Sequence, residues 1–290
     1  MCRLSRGDSM NVFLRSKYSI LLGILATCMA ASLAPGQASG VADQLDSEFK
    51  GKILMLRGFY SGSQLEYDQN GDLLGTTTQE PWTLASVEIM KLMLTPQSIV
   101  IVGNRMGTLY KSGKAGFVKV GKVKIEVARP NSDGETKETL DHVIGRIFIE
   151  SKEDLQPLLP EYWQIYLSGN DLKSRSAAWR AKTNSNGDKS QVSVPKKSDP
   201  AVTEVSALRV IHQKDPEYTK EAHSHHIEGI TRLGTIIETT GTASNIAILE
   251  PLGMGLDEQA ILALKQWKFQ PAMNNGHPVR VQIEVEMDFR

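Results

Sequence analysis

The chain is poor in cysteine: its 290 residues contain only Cys2 and Cys28. Everything beyond the first thirty residues is free of thiols, so no disulfide framework holds it, and either redox compartment suits it. Charge of one sign is also missing. Thirty-three Lys and Arg residues balance 33 Asp and Glu residues, so no global field draws the chain to nucleic acid or to an anionic membrane, and nucleic acid is excluded as a partner class. No Walker loop and no Ser or Cys nucleophile motif occurs, so nothing points to an enzyme or to a bound cofactor. The N-terminal apolar run, Ile20 to Ala34, is shorter than the roughly 20 residues that span a bilayer.

What is present is ordinary for globular protein, with 40% hydrophobic and 23% charged residues. A chain of this length implies two domains plus extra segments. Residues 1–38 read as a signal peptide or membrane anchor. Arg15 and Lys17 precede the apolar run, and Pro35-Gly36-Gln37-Ala38-Ser39 follows it, the three-part pattern of a secretory signal with cleavage near Ala38. Retention as an anchor is the alternative. A lipoprotein is a third reading, because Leu25-Ala26-Thr27-Cys28 approximates a lipid-attachment motif with Thr27 at a position that usually holds a smaller residue.

Residues 47–167 read as a β-rich domain of unknown function. Ile53-Leu54-Met55-Leu56 is a short apolar run; Leu65 and Tyr67 alternate with polar residues, and Asn70-Gly71 is a hairpin signal. Val87 and Ile89, Ile99 to Val102, and Val118, Val120, Val123, Ile125 and Val127 continue the pattern, the last group with Lys on a wet face. Leu140, Val143, Ile144 and Ile147 recur at helical spacing, with His142 read as a core histidine rather than a base. Asp68 to Asp72 lacks the carboxylate that completes a calcium loop, so it reads as a turn. Residues 168–203, rich in Ser, Asn, Lys and Pro, read as a flexible linker.

Residues 204–290 read as an α+β domain with helices packed on an antiparallel sheet. Val205, Leu208 and Ile211 start a leading arm, and Pro216 opens a short helix with Tyr218, Ala222 and Ile227 inward. Thr231, Leu233, Thr235 and Ile237 share one strand face, and Ile246 and Ile248 lie on the partner strand beyond Gly241. Leu256-Asp257 starts a second helix, with Asp257 as its cap and Leu256 stapled on Ile261; Phe269 and Pro271 end it. After an Asn275-Gly276 turn, Val279, Val281, Ile283, Val285, Met287 and Phe289 alternate with Arg280, Gln282, Glu284, Glu286, Asp288 and Arg290. One buried and one wet face follow.

Taken together, Asp215-Pro216-Glu217-Tyr218, Leu256-Asp257, Trp267-Lys268-Phe269-Gln270-Pro271-Ala272 and the terminal Phe289-Arg290 resemble the C-terminal domain of TonB-family proteins. Thr219 departs from the second proline usual in that family's entry motif. The resemblance implies a periplasmic protein that binds an outer-membrane TonB-dependent receptor, or another envelope protein, by addition of a β-strand. It further implies coupling of energy to transmembrane transport through inner-membrane motor proteins; a stand-alone envelope adaptor without that coupling is the alternative. On this reading Arg280, Gln282, Glu284, Glu286 and Arg290 contact the partner, and exposed edges also allow two copies to pair. The 168–203 linker reaches at most roughly 120 Å and holds only Pro195 and Pro200, unlike the long Pro-rich span of a full transducer.

His223, His225 and His226, with His212 nearby, are read as a solvated loop and not a metal site, because three imidazoles in four consecutive residues do not converge on one ion. Calorimetric titration with zinc is expected to show no binding tighter than micromolar; a nanomolar site contradicts this.

Overall fold

The computed structural model describes residues 35–129, 136–185, 191–193 and 208–290. The Ile20–Ala34 run, Val205 and most of the 186–207 stretch lie outside the described residues. Among those described, no helix is long and apolar enough to cross a membrane. The described residues form two compact units, one lying within 1–108 and 114–158, the other within 109–113 and 159–290.

The first unit starts with α1 (Pro35–Phe49), which leads into β1 (Ile53–Leu56), β2 (Gln64–Tyr67), β3 (Leu73–Leu74), β4 (Ser86–Leu94), β5 (Ser98–Lys111) and β6 (Lys114–Ala128). α2 (Lys137–Ile147), β7 (Phe148–Ile149) and α3 (Lys152–Leu155) follow. The seven strands form one sheet in the order β3-β2-β6-β5-β4-β1-β7. Asn70-Gly71 lies in the β2–β3 turn, where the Asp68 carboxylate accepts from the Asn70 and Asp72 backbone N–H groups, so that carboxylate is occupied within its own turn. α1 had no counterpart in the sequence reading, yet Leu45 and Phe49 sit fully in the core beside Val87, Ile89 and Ile101. α2 is capped by Thr136, whose side chain accepts from Thr139 N–H. It buries Leu140, Val143, Ile144 and Ile147 as its spacing requires. His142 is exposed and not in the core; at 100° per residue it lies about 200° round the helix from Leu140.

The second unit contains α4 (Glu161–Ser168), α5 (Leu172–Ser185), β8 (Gln191–Ser193), β9 (Arg209–His212), α6 (Lys220–Ser224), β10 (Gly229–Ile237) and β11 (Ala243–Glu250). After these come α7 (Leu256–Leu264), β12 (Lys268–Gln270), β13 (Ala272–Asn274) and β14 (His277–Phe289). Its main sheet has the order β11-β10-β14-β13, with β8 added to β14, while β9 and β12 pair separately. The fold is α+β, with a β-rich N-terminal part and a sheet-and-helix C-terminal part.

Three expectations are corrected here. Residues 172–185, expected as linker, form a helix. Its inward stripe is Leu172, Arg175, Ser176, Trp179 and Thr183, mostly polar, which hides it from a search for apolar periodicity. Arg175 is buried because its guanidinium donates to the Gly169 and Leu249 carbonyls and lies 4.1 Å from the Tyr166 ring centroid. Second, the sheet is covered on both faces: Leu233 and Ile237 are buried on one side of β10, and Ile236 packs with Trp179, Ile165, Ala247 and Leu249 on the other. Third, α6 begins after Thr219 rather than at Pro216. Thr219, the departure from the family motif, is the cap: it accepts from Ala222 N–H and donates to the Met254 carbonyl at 2.7 Å.

Trp179 rests on Gly234, where a Cβ would lie 2.7 Å from the indole ring. Gly234→Ala therefore collides with a fully buried ring. Trp179→Ala is expected to destabilise the second unit by about 3–5 kcal/mol, read as an earlier urea transition of the full chain; an unchanged transition contradicts the packing role of α5.

Candidate strand-docking edge

β14 is the strand from which the candidate site is built. Asn275 and Gly276 both have positive φ, 49° and 78°, as the two central positions of a type I′ hairpin turn require. Asn274 and His277 are thereby the closing pair of the β13–β14 hairpin. In such a hairpin the closing pair exchanges backbone hydrogen bonds, and along an antiparallel strand this alternates residue by residue. His277 and Val279 thus turn N–H and C=O toward β13. From Val281 on the β10–β11 turn sets the phase: Glu238 N–H donates to the Thr242 carbonyl and its carbonyl accepts from Gly241 N–H, so Ile237 faces β14, the odd-numbered residues Val281 to Phe289 bond to β10, and the even-numbered ones turn to the outer edge. The β10 pairing runs without interruption from Val281 opposite Ile237 to Phe289 opposite Gly229.

On the β13 side the strand divides into three. His277–Val279 pairs with β13, Arg280–Gln282 pairs with β8, and among the described residues no strand pairs with Ile283–Phe289. The backbone groups of Glu284, Glu286 and Asp288 therefore face outward, with no strand partner among the described residues. At the opposite side of the sheet, α4 packs along β11. The side chains of Val285, Met287 and Phe289 are buried, and Tyr218 meets Phe289 edge-to-face at 5.5 Å. This end of the strand is therefore rigid while its backbone is open.

The side chains expected to meet a partner lie on the even-numbered face, where the structure gives several of them internal roles. Gln282 is buried, donating to Thr183 Oγ1 at 2.6 Å and Asn184 Oδ1 at 2.8 Å on α5. Glu284 pairs with Arg180 of α5, and Arg280 with Glu238 at 2.7 Å. Glu286 pairs with Arg232, which also holds Glu250 at 2.9 Å, so a charge ladder crosses three strands. Arg290 pairs with Asp288 and is almost wholly exposed. A wet face is thus retained from Glu284 to Arg290 but lost at Gln282. Sequence reasoning missed α5, and with it the cover over that residue.

The strand beside the open edge is fixed by a buried acid. Asp257 is fully buried in α7, yet it is not the helix cap. Gly255 occupies that position with φ 73°, and the Asp257 carboxylate instead accepts from the backbone N–H groups of Leu252 (2.9 Å) and Gly253 (2.8 Å) and from Thr231 Oγ1. Thr231 lies opposite Met287, so this clamp ties α7 and its entry loop to the strand paired with the open edge. Glu258, next in the chain, accepts from Trp163 Nε1 at 2.9 Å through one oxygen; its other oxygen is buried with no hydrogen-bond partner among the described residues. Leu256 and Ile261 are both buried, and α7 ends at Leu264, before Phe269, which belongs to β12.

Elsewhere the candidates are weaker. In the first unit a cavity of about 430 Å³ is lined by Arg57, Tyr60, Asp72 and Arg146 among others. Its cations are engaged internally: Arg57 donates to the Gly145 and Phe148 carbonyls and Arg146 pairs with Asp72. His212, His223, His225 and His226 are all exposed, and the described residues contain no metal-holding cluster.

Burial raises both acids above their ordinary carboxylate range; the neighbouring Asp257 charge raises Glu258 further, whereas the hydrogen bonds to Thr231, Leu252 and Gly253 oppose the shift of Asp257. A carboxyl whose folded pKa exceeds its unfolded value holds more protons in the folded state. Its contribution is complete below the unfolded value and is lost as pH rises through the raised one. Glu258→Gln keeps an acceptor for Trp163 and cannot ionise, so it is expected to flatten the fall in stability from about pH 4 upward. Denaturation curves with the same pH slope as wild type contradict this.

Comparison with known proteins places the edge in context. Residues 214–290 match the family model for the Gram-negative bacterial TonB protein C-terminal. Protein TonB of Vibrio cholerae serotype O1 is 32% identical over 94 residues, covering 32% of this chain and 38% of that protein. This chain therefore matches well under half of that relative's length. The solution structure of the Pseudomonas aeruginosa TonB C-terminal domain matches with 17% identity over 34% of this chain and 94% of that one, at a TM-score of 0.24.

Proposed function

We propose that this TonB-like protein works in the periplasm of a Gram-negative envelope. There, its C-terminal module takes an extended segment of an outer-membrane transport receptor, or of another envelope protein, as an added strand along Ile283–Phe289. The observation that carries this reading is the edge itself: a strand fixed on one side by β10 and, among the described residues, unpaired on the other is a template for main-chain pairing. The TonB C-terminal match over residues 214–290 supplies the class of partner.

Magnitudes limit what the backbone alone contributes. Each new main-chain bond gives about 0.5–1.5 kcal/mol net, while ordering each residue of the incoming segment costs about 1–2 kcal/mol. Micromolar binding needs about 8 kcal/mol, so side chains beside the edge must add to it. Glu286 and Arg290 are the members of the expected set with exposed ends in position to do so; Arg280 and Gln282 act inside the module.

A second reading, an envelope adaptor without energy coupling, is favoured by the folded seven-stranded unit ahead of the module. Coupling to inner-membrane motor proteins needs the N-terminal segment retained as an anchor. Mass spectrometry of the mature chain separates the two: a start near Ser39 supports the adaptor, and an intact N-terminus supports coupling.

Partner binding is tested by a photoreactive residue at Glu286 in the full chain expressed in a Gram-negative cell. Crosslinking is expected to capture an outer-membrane receptor or another envelope protein. Asp288→Pro, which removes an outward N–H that the β10 pairing does not use, is expected to reduce capture at least tenfold. Capture of no envelope protein, or capture unaffected by the proline, contradicts strand addition at this edge.

A further inference from the structure

The same edge is already partly occupied by the chain itself. Gln191, Val192 and Ser193 pair with Arg280, Val281 and Gln282, immediately next to the open stretch. This pairing is parallel, whereas β10 and β13 both pair with β14 antiparallel. It is also short, and parallel pairs are slightly weaker per residue than antiparallel ones. A few bonds at about 0.5–1.5 kcal/mol each hold β8, against a pairing with β10 that runs from Val281 to Phe289.

α5 delivers β8 to this position. Near the end of that helix, Thr183 and Asn184 accept hydrogen bonds from Gln282, the residue of β14 opposite Ser193. The tether from Asn184 to Gln191 is short, so the local concentration of β8 at the edge is high even though its own bonds are few. Edge strands in soluble proteins are commonly protected against unwanted pairing. Among the described residues the protection covers Arg280–Gln282.

We propose that β8 is an internal occupant of the docking edge, a stop that fixes where a partner strand begins. An extended peptide segment of about seven residues, one for each position from Ile283 to Phe289, pairs without disturbing β8. A longer one must evict it and thereby gains the outward N–H and C=O of Gln282. The partner class is thus an extended segment selected by length, with β8 as competitor for the inner end of its site. This inference rests on the strand-addition reading above, but its test needs no receptor.

The test compares the full chain with a variant carrying Gln191→Pro, Val192→Pro and Ser193→Pro, which removes every β8 N–H. Amide hydrogen exchange is followed residue by residue by NMR. In the wild type the Gln282 amide, which faces β8, is expected to exchange at least tenfold more slowly than the outward Glu286 amide; in the variant that protection is lost, while Val281, facing β10, is unchanged. A synthetic peptide spanning Lys189 to Ser198 is then expected to bind the variant at least tenfold more tightly than the wild type. Equal Gln282 exchange in the two proteins, or equal peptide affinity, overturns the role of β8 and leaves the open edge standing. Failure of the crosslinking experiment would remove the partner and leave this exchange pattern unaffected.

Discussion

The contact between the Trp179 ring and the Cβ-less surface of Gly234 is the constraint on which the second unit depends. An indole buried to 1% exposure meets β10 where any larger residue would be within 2.7 Å of it. That contact seats α5 on the sheet. With α5 come Thr183 and Asn184 on Gln282, Arg180 on Glu284, and, beyond the helix, the β8 strand. A sheet with one wet face becomes a sheet with helices on both faces. The cost of burying α5's polar stripe is offset by partners: Arg175 has two carbonyls and an aromatic face, and Thr183 bonds the Trp179 carbonyl as well as Gln282.

Among the described residues β13 and β8 take the first half of β14, and Ile283–Phe289 has no strand on its outer side. The Asp257 clamp holds the far side of the same strand pair through Thr231, so an incoming segment would meet a pre-organised edge and bear most of the ordering cost itself. The acid pair at the start of α7 keeps that clamp at the expense of stability above the ordinary carboxylate range.

Much of this was legible in the sequence, and the omissions share a cause. The strict alternation from Val279 to Phe289, the Asn275-Gly276 turn and the stripe of α2 were readable because each is a local pattern carried by apolar residues or turn chemistry. α5 was not, because its inward stripe contains only Leu172 and Trp179 as large apolar groups, and its remaining buried positions are satisfied by partners distant in sequence. The even-numbered residues of β14 were therefore read as a uniform wet face, correct for Glu286 and Arg290 and wrong for Gln282. Asp257 was read as a cap because caps are local, whereas its acceptors serve the preceding loop and a neighbouring strand. The open edge itself needed topology: which strand lies beside β14, and how far, is set by contacts between Gln191–Ser193 and residues about ninety positions away.

The central claim is that a partner strand adds to the outward side of β14 between Ile283 and Phe289. Amide exchange of the full chain, measured residue by residue with and without the crosslinked partner's own segment as a synthetic peptide, tests it most directly. The account predicts an alternating footprint, with new protection at Glu284, Glu286 and Asp288 and none at Ile283, Val285, Met287 and Phe289, whose amides already face β10. Protection spread evenly along the strand, or confined to another element while these amides stay unchanged, would contradict it.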